Sequence, residues 1–242
     1  AGGEDLIFPH HENEIAQSEC CNGKIFARYW MHNGFLNIDN RKMSKSLGNF
    51  RTVREIAKQY DLQVLRFFML SAHYRSPLNF SADLMESSKN ALERIVDAAG
   101  RLRDRKEADK RPMTESEQSL LKEAEGFRRK FEEAMDDDFN TADALAAVFE
   151  LVKFANTNVT EESTGAFAGA VLDIMVTLSD VLGLIILKKE EVLDKDVEEL
   201  IQERQAARKA KDFAKADEIR GRLLEMGIEL KDTREGVKWK RV

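Results

Sequence analysis

The sequence is poor in residues that interrupt helices and in cysteine. Its 242 residues include only 13 glycines and 3 prolines, well below average usage. So few turn-forming residues argue against a many-stranded sandwich or barrel and favour long helices. The two cysteines, Cys20 and Cys21, are adjacent and cannot crosslink distant parts of the chain. We therefore expect a reducing, cytoplasmic location.

Long apolar runs are also absent. The longest run, residues 181–187, is far shorter than the roughly 18 residues that a membrane-spanning helix requires. The chain opens on Ala1 rather than Met and shows no secretion signal, so we expect a piece of a longer protein. The length of the chain, 242 residues, predicts one or two domains with enough residues to bury a core.

Charge is distributed unevenly along the chain. The formal net charge is −6, whereas residues 201–242 contain 12 Lys/Arg against 8 Asp/Glu. An acidic body with a basic tail is typical of a protein that contacts nucleic-acid phosphates locally. The same pattern also fits a solvated helix face, so charge alone leaves both interpretations open.

Apolar residues recur with helical spacing from Thr52 onward and predict a mainly α-helical fold. Four of the predicted helices fit an antiparallel bundle. Residues 101–112 offer almost nothing to bury and predict a linker or a frayed helix end. In the tail, two helices precede alternating apolar and polar residues, which predict a small hairpin. The bundle helices are expected to begin at about Ser81, at a capping box formed by Thr114 and Glu117, at Asn140 or Thr141, and at about Gly165.

The loop Lys42-Met43-Ser44-Lys45-Ser46 carries the sharpest functional signal. Two lysines three residues apart, with two hydroxyls and a following glycine, can close over a triphosphate. Their charge would oppose the negative charge that builds as an α-phosphate is attacked and pyrophosphate leaves. An ordinary surface loop rich in Lys and Ser is the alternative interpretation.

A second signal is Phe8-Pro9-His10-His11-Glu12-Asn13-Glu14, in which Pro9 favours the start of a helix. On that helix His10 and Glu14 share a face, and an imidazole nitrogen and a carboxylate oxygen are acceptable zinc ligands. Two ligands are half of a tetrahedral site, so a plain surface contact is the alternative. Cys20 and Cys21 are expected to pack as small apolar groups rather than to complete the site.

Two weaker signals lie nearby. Gly2 and Gly3 allow close approach of a ligand, and the Asp5 carboxylate beside them can accept hydrogen bonds from a ribose. A plain turn explains the same residues. Trp30, next to Tyr29, is expected to lie in the core on composition alone.

Together these stretches resemble the cysteinyl-tRNA synthetase family, one of the class I aminoacyl-tRNA synthetases, from Gly2 to the C-terminus. The stretch around residues 8–14 and the loop that begins at Lys42 are the most specific part of the resemblance. Further matching stretches are Tyr-Trp-Met-His-Asn-Gly at 29–34, His-Tyr-Arg-Ser at 73–76, Asp-Asp-Asp-Phe-Asn-Thr at 136–141 and Arg-Lys-Ala-Lys-Asp-Phe-Ala-Lys-Ala-Asp at 208–217.

The resemblance implies roles for individual residues. His10 and Glu14 would be two of four zinc ligands, the family's two Cys ligands lying upstream of the matched segment. Zinc would bind the substrate thiolate far better than a hydroxyl, which selects cysteine against serine. The other implied residues are Lys42 and Lys45 for catalysis, Lys45, Asp5, Gly2 and Gly3 for ATP, Trp30 for cysteine, and Arg204, Arg208, Lys209, Lys211 and Lys238 for tRNA.

The resemblance also implies an organisation into four parts. These are the end of a Rossmann-like catalytic domain (1–27), a connecting, stem-contact region with the loop (28–80), a helical bundle (81–187) and a small α+β anticodon-binding domain with a hairpin (188–242). The implied reaction joins L-cysteine to tRNA(Cys) with ATP and magnesium, in a protein that is monomeric at full length. This piece is expected to be inactive alone, because half of the zinc site and most of the ATP site are missing.

Two alternatives stay open at this point. A related ligase joins cysteine to an amino-sugar and shares the zinc and loop motifs, although a sugar substrate needs no basic tail domain. A non-catalytic helical tRNA-binding module would leave the pair of His10 and Glu14 and the loop at 42–46 unexplained.

Overall fold

Helices dominate the structure, a computed structural model. The chain divides into two compact units, residues 1–187 and residues 188–242. Within the described ranges, no helix is long and apolar enough to cross a membrane. The residues that the structure describes are 1–44, 46–187, 195–209, 212–233 and 236–241.

The first unit combines short strands with longer helices. A 3₁₀ turn (Glu4–Leu6) and a π-type turn (Ile7–His11) precede its first α-helix. Its helices are α1 (Glu12–Asn22), α2 (Val53–Ile56), α3 (Leu62–Leu70), α4 (Ala82–Ala108), α5 (Glu115–Asp136), α6 (Thr141–Asn158) and α7 (Gly165–Val181). Its strands are β1 (Gly2–Gly3), β2 (His32–Asn33), β3 (Leu36–Ile38), β4 (Arg41–Lys42) and β5 (Leu78–Phe80).

The strands form two small sheets. Strand β1 pairs with β2 in parallel, and β3 lies between β4 and β5, antiparallel to the first and parallel to the second. Asp39 and Asn40 turn the chain from β3 into β4 with positive φ angles of 47° and 62°. The Asn40 amide nitrogen donates to Asn79 Oδ1 at 2.7 Å, which fixes this turn.

The predicted helical bundle is confirmed, with α4, α5, α6 and α7 packed around one core. Side chains at the predicted helix starts cap these helices by accepting a backbone N–H, which satisfies one of the free donors there. The Thr114–Glu117 capping box is present as predicted. The capping residues are Ser81, Thr114, Asn140 and Thr164.

Of the two interpretations of 101–112, a linker or a helix end, the structure supports a helix end over 101–108, because α4 continues to Ala108. Leu102 is buried in the core and supplies an apolar contact within this otherwise polar stretch. Arg105 adds a hydrogen bond from Nε to the Ser163 carbonyl oxygen at 2.6 Å. Buried contacts of a few residues therefore outweigh the polar composition of the segment.

The second unit is a small α+β unit, as predicted. Its elements are α8 (Lys195–Lys209), α9 (Phe213–Glu225), β6 (Ile228–Thr233) and β7 (Gly236–Arg241). Strands β6 and β7 form an antiparallel hairpin. Its core contains Val197, Ile219, Leu223, Ile228 and Leu230.

Candidate active site

The N-terminal segment gathers His11, Trp30 and His32 into one aromatic cluster. His11 Nδ1 lies 2.8 Å from His32 Nε2, and the ring centroids of His11 and Trp30 are 4.9 Å apart. The Trp30 and His32 rings are nearly parallel, at 4°. His11 is only 6% exposed. Neither His11 nor His32 was selected from the sequence.

Strand pairing explains why these residues meet. The register of β1 and β2 sets Gly2 opposite His32 and Gly3 opposite Asn33. A Cβ at Gly2 would lie 3.0 Å from His11 Cε1 and 2.8 Å from Leu6 Cδ1. Glycine therefore lets the backbone pass directly over the His11 ring.

Burial sets the charge state of His11. Desolvation lowers the pKa of His11 below its ordinary value of 6.5, and the neighbouring His32 lowers it further. At neutral pH the His11 ring is therefore uncharged, with one nitrogen able to donate and the other to accept.

The predicted zinc ligands His10 and Glu14 are both exposed. His10 belongs to the π-type turn and Glu14 to the first turn of α1. The backbone of the π-type turn departs from helical angles at Phe8, just before Pro9, so the helix expected to start at Pro9 is confirmed, with a π-type first turn. Among the described residues, no group of three or more His, Cys, Asp or Glu side chains could hold a metal ion. The assignment of His10 and Glu14 to zinc stays a prediction.

Cys20 and Cys21 lie near the end of α1 and do not pack as small apolar groups. Both thiols are free and exposed, so that prediction is wrong. The helix ends at Asn22, followed by Gly23 in the left-handed conformation, with a φ of 62°.

Of the predicted ATP and cysteine residues, Gly2 lies against the aromatic cluster and Trp30 belongs to it. Asp5 is exposed, and a Cβ added at Gly3 would lie 2.5 Å from Asp5 Oδ1. Trp30 is half-buried rather than part of the core, and Tyr29 is 88% exposed, so their placement in the core is wrong. The roles of Asp5 and Trp30 toward ligands stay predictions.

We define the signature loop as residues 42–50, which follow the β3–β4 turn. Its own polar side chains fold it: Asn49 Oδ1 accepts from the Ser44 amide at 2.9 Å, and Asn49 Nδ2 donates to the Lys42 carbonyl at 3.1 Å. Ser44 Oγ accepts from the Leu47 amide at 3.2 Å. Lys42 is exposed, with Nζ 4.9 Å from the Phe35 ring centroid. Lys45 lies outside the described residues.

Asn49 holds the two ends of the signature loop together, and Asn49→Ala removes both of its hydrogen bonds. A net loss of about 1 kcal/mol per hydrogen bond, about 2 kcal/mol for the two, predicts roughly thirtyfold faster hydrogen exchange at the Ser44 amide. Exchange measured by NMR or mass spectrometry tests this. Ser46→Ala is the control, since the Ser46 hydroxyl contacts only Ser44 Oγ in the described loop. Equal Ser44 exchange in the two variants would contradict the prediction.

The basic tail residues differ in accessibility. Arg204 is only 4% exposed, and its predicted contact with tRNA phosphate stays a prediction. Arg208 is exposed on α8. Lys211 and the side chains of Lys209 and Lys238 lie outside the described residues.

Three family models match the chain in order. They are described as the class I (C) tRNA synthetase catalytic domain over residues 1–90, the DALR domain over 130–187 and the cysteinyl-tRNA ligase anticodon binding domain over 190–239. A solved ternary complex of LeuRS, tRNA and LeuAMS from Agrobacterium radiobacter K84 has a similar fold. Its TM-score is 0.62 at 16% identity, over 74% of this chain and 24% of that one.

Curated relatives match the whole chain. The Cysteine--tRNA ligase of Lachnoclostridium phytofermentans is 63% identical over 100% of this chain and 53% of its own length. Those of Lachnospira eligens and Clostridioides difficile are 62% and 56% identical, over 51% and 52% of their lengths. The chain thus spans about half the length of the curated relatives it matches.

The fold, the signature loop and the catalytic-domain match place the chain among the class I aminoacyl-tRNA synthetases. The anticodon-binding model that matches is the one described for cysteinyl-tRNA ligase, so it narrows the class to the enzymes for cysteine. Within that class the chain belongs to the cysteinyl-tRNA synthetase family.

Proposed function

We propose that the chain is part of a cysteine–tRNA ligase, which joins L-cysteine to tRNA(Cys) in the cytoplasm and converts ATP to AMP and diphosphate. The observation that carries this proposal is identity of 56–63% along the entire chain to three cysteine–tRNA ligases. The signature loop and the residues beside the aromatic cluster would supply part of the chemistry that this reaction needs.

The signature loop would act on the polyphosphate of ATP, bound with magnesium. Lys42 is exposed at the end of β4, and Lys45 follows three residues later. Both ammonium groups would stabilise the charge that develops on the phosphates as pyrophosphate leaves. Gly2, Gly3 and Asp5 would contact the nucleoside, with the Asp5 carboxylate accepting from the ribose.

His10 and Glu14 would hold a zinc ion together with ligands from outside this chain. Both side chains are exposed, and their imidazole and carboxylate are donor types that zinc accepts. When bound, zinc supplies a soft site that prefers a thiolate to a hydroxyl. Trp30, half-buried against His11, would form the apolar wall beside the cysteine side chain.

The N-terminal segment exposes apolar side chains that a folded enzyme would cover. Phe8 and Ile25 are each 76% exposed, and Tyr29 is exposed as well. Parallel strands such as β1 and β2 normally belong to larger sheets covered on both faces. These features support docking of further polypeptide here, and we propose that the chain alone is inactive.

The four parts named from the sequence stay proposals. Residues 1–27 and 28–80 would form the catalytic edge and the connecting region, 81–187 the bundle and 188–242 the anticodon-binding domain. In the last of these, Arg208, Lys209, Lys211 and Lys238 would contact tRNA(Cys), and the complete ligase would be monomeric.

Complementation tests the proposal. We expect this chain to give no cysteine-dependent pyrophosphate exchange alone, and to gain it when mixed with the part of the Lachnoclostridium phytofermentans relative that lies outside the matched region. Lys42→Ala should abolish the gained activity, because the loop would lose charge opposite the phosphates. Lys122→Ala, at an exposed position on α5, is the matched control.

Other outcomes identify the alternatives. Turnover by the isolated chain would refute its inactivity, and transfer of cysteine to an amino-sugar instead of tRNA would favour the related ligase. Tight, salt-dependent binding of tRNA(Cys) without any gained activity or zinc binding would favour a non-catalytic module.

A further inference from the structure

Two stretches that no role above accounts for, residues 73–76 and residues 136–141, meet in the fold. Their contact centres on Asp138, in the turn between α5 and α6. Tyr74 Oη donates to Asp138 Oδ1 at 2.8 Å, and Arg75 Nη2 lies 2.8 Å from Asp138 Oδ2. His73 Nε2 lies 3.8 Å from the same Oδ2 atom. The Asp138 carboxylate thus contacts three side chains of the turn at 73–76.

The turn at 73–76 is ordered by its own contacts. The Arg75 amide donates to His73 Nδ1 at 3.2 Å, which leaves the ring proton on Nε2, facing Asp138. Arg75 Nε donates to Tyr74 Oη at 3.1 Å. The hydrogen bond to Tyr74 and the charge of Asp138 raise the pKa of Arg75 above its ordinary value. The cluster is therefore a connected network and not one isolated ion pair.

The backbone of the α5–α6 turn is strained where it presents Asp138. Asp138 and Phe139 both have a φ of 55°, in the left-handed region that bulky residues rarely adopt. The Phe139 side chain is 53% exposed, so burial of its ring does not explain the conformation. Such strain persists where surrounding contacts hold it. Here the Phe139 and Asn140 amides donate to the Met135 and Ala134 carbonyls, and the network around Asp138 adds side-chain contacts.

The opposite side of the turn holds the strands that lead to the signature loop. The Gly34 amide donates to the Tyr74 carbonyl at 2.8 Å. A Cβ at Gly34 would lie 2.6 Å from the Ser76 carbonyl carbon, so the two backbones are in direct contact. Residues 36–38 then form β3, which leads through β4 into the signature loop.

We propose that Asp138 is a positioning residue for the signature loop, acting through Tyr74 and Gly34. By fixing the turn at 73–76, its carboxylate fixes the segment from which the β3–β4 hairpin starts. The helical bundle thereby sets where Lys42, at the start of the loop, stands relative to a polyphosphate. The expected effect on ATP rests on the proposed function. The contact path from Asp138 through Tyr74 and Gly34 to the loop does not depend on it.

Hydrogen exchange of this chain tests the link. Asp138→Asn and Tyr74→Phe should each speed exchange at the Gly34 amide and across residues 36–44 by about fivefold, since each weakens the network by about one hydrogen bond. Exchange in residues 167–178 of α7 should stay unchanged. Asp137→Asn is the matched control, because Asp137 is the exposed neighbour in the same stretch.

Two results would overturn the link: unchanged exchange at Gly34 in both variants, or equal acceleration throughout the bundle. In the complemented enzyme, Asp138→Asn should raise KM for ATP about fivefold and leave KM for cysteine unchanged. Equal rises in both constants would overturn the assignment to the loop. An inactive unsubstituted complement would count against the proposed function, while the exchange result would still decide the link.

Discussion

Gly165→Ala is expected to lower the melting temperature of the first unit by on the order of 10 °C. A Cβ at this position would overlap the Asp109 carbonyl oxygen and lie 2.9 Å from that of Lys106. Both are backbone atoms, so α7 or the end of α4 must shift. Overpacking of this severity costs about 3 kcal/mol or more, at roughly 2–4 °C per kcal/mol in a unit of this size.

Thermal unfolding followed by circular dichroism measures this effect. Gly100→Ala is the control, since Gly100 lies within α4 and a Cβ there would meet nothing within 4 Å. That substitution should stabilise the unit by about 0.5–1 kcal/mol, because alanine favours a helix over glycine. Equal melting temperatures for the two variants would contradict the close approach at Gly165.

Glu117→Gln should destabilise the first unit by about 2–3 kcal/mol at neutral pH, because the buried carboxylate accepts four hydrogen bonds at two helix starts. The carboxylate accepts hydrogen bonds from the backbone N–H and the hydroxyl of Thr114 at the start of α5. It accepts two more from the same groups of Thr164 at the start of α7. Glu117 is 8% exposed. An amide in its place would turn an N–H group toward these donors.

The same carboxylate predicts a dependence of stability on pH. Burial raises the pKa of Glu117, but the hydrogen bonds from Thr114 and Thr164 outweigh this and lower it below 4.5. The Arg111 amide, the Arg111 side chain and the Gly165 amide lower the pKa of Asp109 from 3.8 to about 2, against the effect of burial. A lowered carboxylate pKa stabilises the fold above the unfolded value, and this stability is lost as pH falls through the folded value.

The native protein should therefore lose stability as pH falls from about 4.5 toward 2, and the difference from Glu117→Gln should shrink over the same interval. Urea unfolding at a series of pH values measures both. Glu115→Gln, at an exposed residue in the same helical turn, should cost only a few tenths of a kcal/mol. A constant difference between the native protein and Glu117→Gln down to pH 2 would contradict the role of the charge.

The helices were predictable because their information is local. Apolar spacing and capping residues such as Thr114 and Asn140 mark where a helix begins, whatever it later packs against. The end of α4 was not predictable, since its polar composition hides the burial of Leu102 and the bond of Arg105 to a carbonyl 58 residues away. Tertiary contacts decided that boundary.

The site was predictable as a set of motifs but not as a geometry. The sequence selects His10 by its spacing from Glu14, whereas burial distinguishes His11, and two adjacent histidines look alike in a sequence. Arg204 shows the same limit, since its charge is visible in the sequence and its burial is not. The contact of Tyr74 with Asp138 joins residues 64 positions apart, beyond the reach of any local pattern.

The exposed thiols of Cys20 and Cys21 offer a natural attachment point for a fluorescent label. They are the chain's two cysteines, both accessible, and they stand on the helix that follows the exposed Phe8. A maleimide dye placed there would sense the polarity around the N-terminal segment. Its emission could follow the arrival of a complementary polypeptide in real time, with no engineered cysteine.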